Sequence, residues 1–493
     1  MSAYEMVIGL ETHVELRTRT KAFCACPNEY GAPPNTRVCP ICLGLPGALP
    51  SLNAEAVRLA ALAGLALGCR VHERSRFDRK NYFYPDLPKA YQITQFYHPL
   101  CEGGHIDIHT AAGDKRIGIT RIHMEEDAGK LIHQADGILL DMNRCGVPLI
   151  EIVTEPDIRS AEEAVAYLRK LRAILTYTGV SDCRMNEGSL RCDVNLSLRR
   201  PGEPMGIRTE MKNLNSFQSV ERAIRAEYAR QAALLDAGER VWQETRRFDQ
   251  KTGLTYGMRR KENSADYRYF PEPDLPEVVL SPRELEALRR RIPMLPDERR
   301  ALYERRFGLR SEEAELIASE RWLAEYYEEA AALSRDPAAL ARLIVGEAFA
   351  QIALRDTAHT GERDAASLPI APAHLARLSD LAAEGRLNST TAKRILAALF
   401  DRDQDPEDYA QQNGLFRITD PAALREAALR ALRENPAMVR AYLGGKTNAQ
   451  KALMGKAMAL TQGRADPRRL AQQVEQALRE EERGKMHIKD GIK

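Results

Sequence analysis

Glu11 and His13 stand two residues apart in an apolar run, and the same polar alternation recurs in three further segments. Carboxylates and an imidazole gathered on one sheet face are donors for a hard divalent cation, and such an ion serves phosphate chemistry. In the run 7–16, alternation puts Ile8, Leu10, Val14 and Leu16 on one face and Glu11, His13 and Glu15 on the other. The run 119–125 aligns Arg121, His123 and Glu125; 190–198 aligns Arg191, Asp193, Asn195 and Ser197; 207–212 aligns Arg208, Glu210 and Lys212.

Pattern alone favours a plainer reading, since an antiparallel sheet with one solvated face shows the same alternation. Two features weigh against it. Glu151 lies inside the apolar run Val147-Pro-Leu-Ile-Glu-Ile-Val153, where a carboxylate needs a cation or hydrogen-bond donors. If Glu11, Glu125, Asp193 and Glu210 converge, each pair repels by roughly 3 kcal/mol at about 5 Å and an effective dielectric near 20. A Mg²⁺ ion relieves that repulsion with oxygen ligands and a few waters. A lone strand histidine is more often packed or exposed than ligating, but His13 faces the same way as Glu11.

Phosphate chemistry also wants lysine or arginine, and the proline-broken loop 79–95 offers Lys80 and Lys89 among aromatic neighbours. Solvated loop lysines are the alternative. Gly444-Gly-Lys-Thr447 resembles the end of a phosphate-binding loop, but Arg440 replaces the leading glycine and no strand precedes it. A different chemistry is written in Cys24-x-Cys26 and Cys39-x-x-Cys42, paired knuckles whose spacing suits a closed tetrahedral Zn²⁺ site. Four thiolates leave no open position, so that ion would brace a loop. Four separate buried or loop cysteines are the alternative.

Positioning these groups takes a large fold. At 493 residues, and about 150 per domain, the chain should hold roughly three domains. A hydrophobic fraction of 44% beside 29% charged residues is that of an ordinary globular protein and excludes disorder as the default. Up to about residue 280 short β-like runs alternate with Gly and Pro, with helical stretches only at places such as 53–67 and 161–177. Beyond it, helical spacing takes over in 282–292, 338–353, 374–381 and 422–432. The expected fold is α+β: a mainly antiparallel sheet domain over 1–294, an all-α domain over 295–410 and a small α-helical tail over 411–493. The joints fall in the proline-rich 271–296 and the polar 401–414.

The start of the chain has no basic region leading into an apolar one, and the apolar run 54–68 contains Glu55 and Arg58, so neither a signal peptide nor a membrane span is expected. Nine cysteines, an odd number with most of them scattered, argue against a disulfide framework and for a reducing cytoplasm. A formal net charge of +2 makes the whole molecule no magnet for nucleic acid, so RNA binding would need a local patch.

Long words in this sequence carry a resemblance. They are Ile8-Gly-Leu-Glu-Thr-His-Val-Glu15, Arg79-Lys-Asn-Tyr-Phe-Tyr-Pro-Asp86, Ile122-His-Met-Glu-Glu-Asp-Ala-Gly-Lys130, Asn143-Arg-Cys-Gly-Val-Pro-Leu-Ile-Glu-Ile-Val-Thr-Glu-Pro156, Glu187-Gly-Ser-Leu-Arg-Cys-Asp-Val-Asn195, Lys212-Asn-Leu-Asn-Ser-Phe217 and Asp266-Tyr-Arg-Tyr-Phe-Pro-Glu-Pro-Asp-Leu275. Along nearly its full length the chain resembles the B subunits of glutamyl- and aspartyl-tRNA amidotransferases. It departs from them at Ala90, usually glycine, and at Asn186, usually acidic.

The resemblance implies a catalytic cradle akin to glutamine synthetase, with Mg²⁺ near Glu11, His13 and Glu125. The ligand set expected here extends to Glu151 and Glu210, and Lys80, Lys89 and Asp193 join the catalytic residues. The implied reaction is ATP-dependent activation of the side-chain carboxylate of Glu-tRNA(Gln) or Asp-tRNA(Asn), followed by amidation. Ammonia would come from an amidase A subunit joined by a small C subunit, in a heterotrimer, because no glutaminase nucleophile motif stands in this chain. Lys446, Lys451, Lys456, Arg464 and Arg468, ordinarily a solvated helix face, would touch tRNA phosphates. A stand-alone ATP-dependent amide ligase and a non-catalytic, zinc-braced RNA-binding protein are the rival readings.

Overall fold

The computed structural model describes residues 4–134, 136–260, 267–356 and 365–490, in two compact units, Met1–Pro296 and Asp297–Lys493. Asp266, the first residue of the run 266–275, lies outside the described residues.

Apolar alternation makes the first unit a sheet. The strand Glu5–Glu15 occupies its middle, with Leu190–Arg199 on one side and Pro148–Thr154 on the other. Beyond Pro148–Thr154 come Gly113–Glu126, Tyr91–Thr94, Asp78–Asn81 and the short Phe270–Pro271. Beyond Leu190–Arg199 come Thr209–Lys212, Glu244–Asp249 and Leu254–Arg260. Neighbours along this order pair antiparallel except Thr209–Lys212 with Glu244–Asp249, which run parallel. The expected strand over 207–212 is shorter than its alternation suggests: it starts at Thr209, leaving Arg208 exposed and outside it.

One face of the sheet is the core. Leu10, Val14, Ile150, Ile152, Val194 and Leu196 are buried there together with residues of the helices Ala54–Ala66, Ala161–Tyr177 and Phe217–Asp236. Asn53, Ser160 and Ser216 cap those helices by accepting first-turn N–H groups. The buried Glu227 of the third helix ties it to the far strands. Its carboxylate accepts from Thr209 and Thr255 hydroxyls at 2.8 Å each and from Gln231 at 2.9 Å, and it pairs with Arg230. Side chains of opposite parity on the same strands point away from this core, and that parity positions the site.

The second unit is helical, as the spacing of its apolar residues predicts. Proline opens several of its helices in the first turn, where a missing N–H costs nothing, and Asp336, Asp405 and Asp420 cap three of them. Its last helices, Pro421–Glu434, Pro436–Leu443, Asn448–Leu460 and Pro467–Asp490, close on an apolar cluster including Leu424, Leu432, Leu453, Leu470 and Val474. One continuous stretch, Pro337–Arg355, is long and apolar enough by composition to cross a membrane. Its Leu340, Ile344, Ala348 and Ile352 are buried within the unit, and its Glu347 and Arg355 pair with Lys393 and Asp401.

Candidate functional site

Cross-strand register assembles the site. His13 faces Glu151 directly, and Glu151 faces His123 on the next strand, so three strands place one row of side chains on the polar face. Glu125, two residues beyond His123, has the same parity. His13 Nε2 lies 3.5 Å from Glu125 Oε1 and 3.6 Å from Glu151 Oε2, and His123 Nε2 lies 3.2 Å from Glu151 Oε2. Two ligand atoms sharing an ion at about 2.1 Å stand between about 3.0 and 4.2 Å apart, so His13, Glu125 and Glu151 fit one small divalent cation. Burial pushes the Glu151 carboxyl up, but His123, His13 and Lys80 together outweigh it and hold the group well below the usual carboxylate range. Gln92 donates to Glu125 at 3.0 Å and fixes that largely buried carboxylate.

Glu11, Asp193 and Glu210 form a second group on the same face. Glu11 faces Asp193, and Glu210 faces Asn195, which donates to Glu11 at 3.0 Å. Glu11 and His13 are one pleat repeat apart, about 7 Å along the strand. The five carboxylate and histidine ligands expected around one ion therefore divide: His13, Glu125 and Glu151 converge, while Glu11 and Glu210 gather with Asp193. The repulsion within the second group already has an answer in the chain. Lys212 hydrogen-bonds Asp193 and lies 3.4 Å from Glu210. Burial lowers the Lys212 pKa, but Asp193 and Glu210 raise it further, so the ammonium stays charged.

The two candidate lysines part company. Lys80, on the strand Asp78–Asn81, lies against the rings of Tyr267 and Tyr82 at 4.9 and 5.7 Å, and its charge is held by Tyr269, Glu125 and Glu151 against burial. Lys89 pairs instead with Glu126, the residue of opposite parity to Glu125. It lines a cavity with Phe23, Cys42, Tyr91, Ile93 and Glu126. Just after Lys89 the chain turns through Ala90 at φ +59°, a conformation that glycine adopts without strain.

The four cysteines do converge. Cys24, Cys26, Cys39 and Cys42 bring their sulfurs within 4.8 Å of one another, and Cys39 Sγ lies 3.9 Å from Cys42 Sγ. Tetrahedral zinc with bonds of about 2.3 Å sets sulfurs about 3.8 Å apart, so the cluster fits such an ion. The Cys39 N–H donates to Cys42 Sγ at 3.1 Å. A bond from the Cys24 thiol, the Cys39 N–H and the nearby Lys21 together hold the Cys42 thiol low against burial. Lys21 is wholly buried, with Nζ 3.7 Å from that sulfur.

Sequence reasoning put His123 and Lys212 on the polar faces without giving them a role, and left Lys21 out of the site. The role of each shows only through its neighbours: His123 through the register with Glu151, Lys212 through Asp193, Lys21 through the folded cysteine loop. In the second unit Lys446, Lys451, Lys456 and Arg468 are exposed, with Lys451 and Lys456 on the helix Asn448–Leu460. Arg464 is half-buried and donates to the Gly414 carbonyl, so it holds the fold together locally.

Comparison with known proteins adds to this geometry. The model of the GatB/GatE catalytic domain matches residues 6–286, and that of the GatB domain matches residues 325–478. The B subunit of the aspartyl/glutamyl-tRNA(Asn/Gln) amidotransferase of Caldicellulosiruptor saccharolyticus is 49% identical over 481 residues, covering 97% of this chain and 99% of the relative. The protein of the same name from Oleidesulfovibrio alaskensis is 50% identical over 470 residues, covering 95% of this chain and 98% of the relative.

Proposed function

We infer the function from one premise: the chain belongs to the family of aspartyl/glutamyl-tRNA(Asn/Gln) amidotransferase B subunits. It is the ATP-dependent, amide-forming part of a multi-subunit ligase. The observation that carries this reading is the row His13–Glu151–His123 with Glu125 beside it, in a family whose relatives are named for amidotransfer on tRNA.

The side-chain carboxylate of Glu on tRNA(Gln), or of Asp on tRNA(Asn), attacks the γ-phosphorus of ATP. The bond to the bridging oxygen breaks, ADP leaves, and an acyl phosphate forms. Ammonia then adds to the acyl carbon, phosphate departs and a proton is lost, leaving the amide. A carboxylate is a poor acceptor for ammonia, whereas phosphate is a good leaving group.

His13, Glu125 and Glu151 would hold Mg²⁺, with Glu11, Asp193 and Glu210 beside them for a further ion or for orienting groups. When bound, the ion neutralises charge on the transferring phosphoryl. His123 holds the Glu151 carboxylate in place, and Gln92 does the same for Glu125. Lys80 faces the same carboxylates as a compact cation for phosphate oxygens. Lys89 and Glu126, off that face, suit the approach of ammonia. The cysteine cluster holds structural Zn²⁺ and braces the loop that carries Lys21.

Ammonia comes from an amidase A subunit, and a small C subunit completes a heterotrimer. Lys446, Lys451, Lys456 and Arg468 reach tRNA phosphates from the second unit. A four-cysteine zinc site needs reduced sulfurs, which suits the cytoplasm. The test is incubation with A and C partners, ATP, Mg²⁺, glutamine and either each misacylated tRNA or free glutamate. Amide on tRNA alone is the expected result. Amide on free glutamate favours a small-molecule ligase, and absence of both amide and ATP hydrolysis favours a non-catalytic RNA-binding role.

A further inference from the structure

Beside the His13 group a continuous string of aromatic rings runs from one exposed end to another. Tyr84 meets Tyr82 at 6.2 Å between centroids, Tyr82 meets Tyr267 at 6.0 Å, and Tyr267 meets Tyr269 at 6.0 Å. Tyr269 stacks on Phe96 at 4.0 Å, and Phe96 meets Tyr97 at 5.0 Å. The middle rings are half-buried, but Tyr84 is 49% and Tyr97 52% exposed. The middle of the string is packed within the unit, and its two ends present ring surface to solvent.

Two cations accompany the rings. Lys80 Nζ stands 4.9 Å from the centre of Tyr267, and Arg121 lies 5.9 Å from that of Phe96. Among the described residues neither makes a hydrogen bond or a close ion pair. Lys80 also faces Glu125 and Glu151, which places the string at the edge of the cation pocket. Rings with accessible faces, interleaved with Lys and Arg, match a single strand of nucleic acid: bases stack on rings and phosphates meet cations.

We propose that this string stacks the bases of the single-stranded acceptor end of the acylated tRNA, so that the carboxylate on its terminal ribose falls beside His13 and Glu125. This rests on the function proposed above. The adenine of ATP is the competing occupant, but a mononucleotide needs one platform, whereas exposed platforms at both ends of the string, with cations over the rings between them, suit a strand of several nucleotides.

The test uses the full assembled complex with Tyr84→Ala and Tyr97→Ala, and with Tyr84→Phe and Tyr97→Phe to keep the ring. Dissociation constants are measured for tRNA with a complete acceptor end and for the same tRNA lacking its unpaired terminal nucleotides, beside the KM for ATP. Each Ala variant is expected to bind complete tRNA about fivefold to a hundredfold more weakly. The Phe variants should match the wild type, truncated tRNA should bind every form alike, and the KM for ATP should hold. Unchanged affinity for complete tRNA in both Ala variants overturns the proposal. So does a raised KM for ATP with tRNA binding intact, which assigns the rings to the nucleotide. A wild-type complex that forms no amide on tRNA overturns the underlying function instead, whatever the Tyr variants do.

Discussion

Glu125→Gln should lower amide formation on misacylated tRNA by about a thousandfold, with free ammonia supplied so that the partner's glutaminase step does not enter. Glutamine keeps the size of the side chain and its bond with Gln92, so the fold has little reason to change. What disappears is one negative charge 3.5 Å from His13, in a pocket where Glu125 itself is only 5% exposed. Loss of one preorganised electrostatic partner at a reacting centre costs about a hundredfold to a thousandfold. Here the loss also weakens cation binding, which puts the effect at the upper end. Single-turnover kinetics with saturating ATP and Mg²⁺ measure it, and unchanged turnover would remove Glu125 from the chemistry. A partial return of rate at raised Mg²⁺ would locate the defect in holding the ion.

Cys39→Ala should release zinc and loosen the loop around Lys21. Metal analysis is expected to fall from one zinc per chain to none, and thermal unfolding of the sheet unit to drop by roughly 10 °C. The magnitude reflects two linked losses. The free energy of metal binding no longer supports the folded loop. Moreover, Lys21 is fully buried with the Cys42 sulfur 3.7 Å from its ammonium, and a loosened loop draws that compensating partner away from the buried charge. Cys69, buried and remote from the four, serves as control: its substitution by Ala should leave the zinc content at one. A Cys39→Ala protein that keeps its zinc would contradict a four-thiolate site.

Strand parity was the most legible feature of this sequence. It separated Ile8, Leu10 and Val14 from Glu11 and His13, and the folded sheet keeps that division. Glu151 stood out for a related reason, because a carboxylate within an apolar run must be answered by some cation, and His13, His123 and Lys80 answer it. Parity carries no information about register, however. That His123 rather than Arg121 faces Glu151, or that Glu11 lies with Asp193 rather than with Glu125, depends on how strands slide against one another. A tally of repelling carboxylates also omits the cations on the same face, and Lys212, two residues along the strand from Glu210, is the one that matters there.

The loop 79–95 shows a second limit. Lys80 and Lys89 look equivalent in one basic, aromatic, proline-broken word, yet one lies in a strand and the other follows the proline-flanked turn 85–88, pairing with a residue of opposite parity. Lys21 illustrates the converse case. Nothing in a solitary lysine before a cysteine predicts complete burial, which arises only when the loop between the cysteine pairs folds back over it. In the helical half the spacing of apolar residues marked the helices, whereas Arg464 shows that a basic residue in a basic stretch can be spent on a carbonyl of its own chain.

The central claim is that the substrate carboxylate itself takes up a phosphoryl group in this site. It is tested most directly by labelling the side-chain carboxylate of misacylated glutamate with ¹⁸O and following the label through one turnover in the assembled complex. Transfer of one labelled oxygen into inorganic phosphate, dependent on ATP and lost in Glu125→Gln, is the predicted result. Phosphate free of label, alongside normal amide formation, would contradict it.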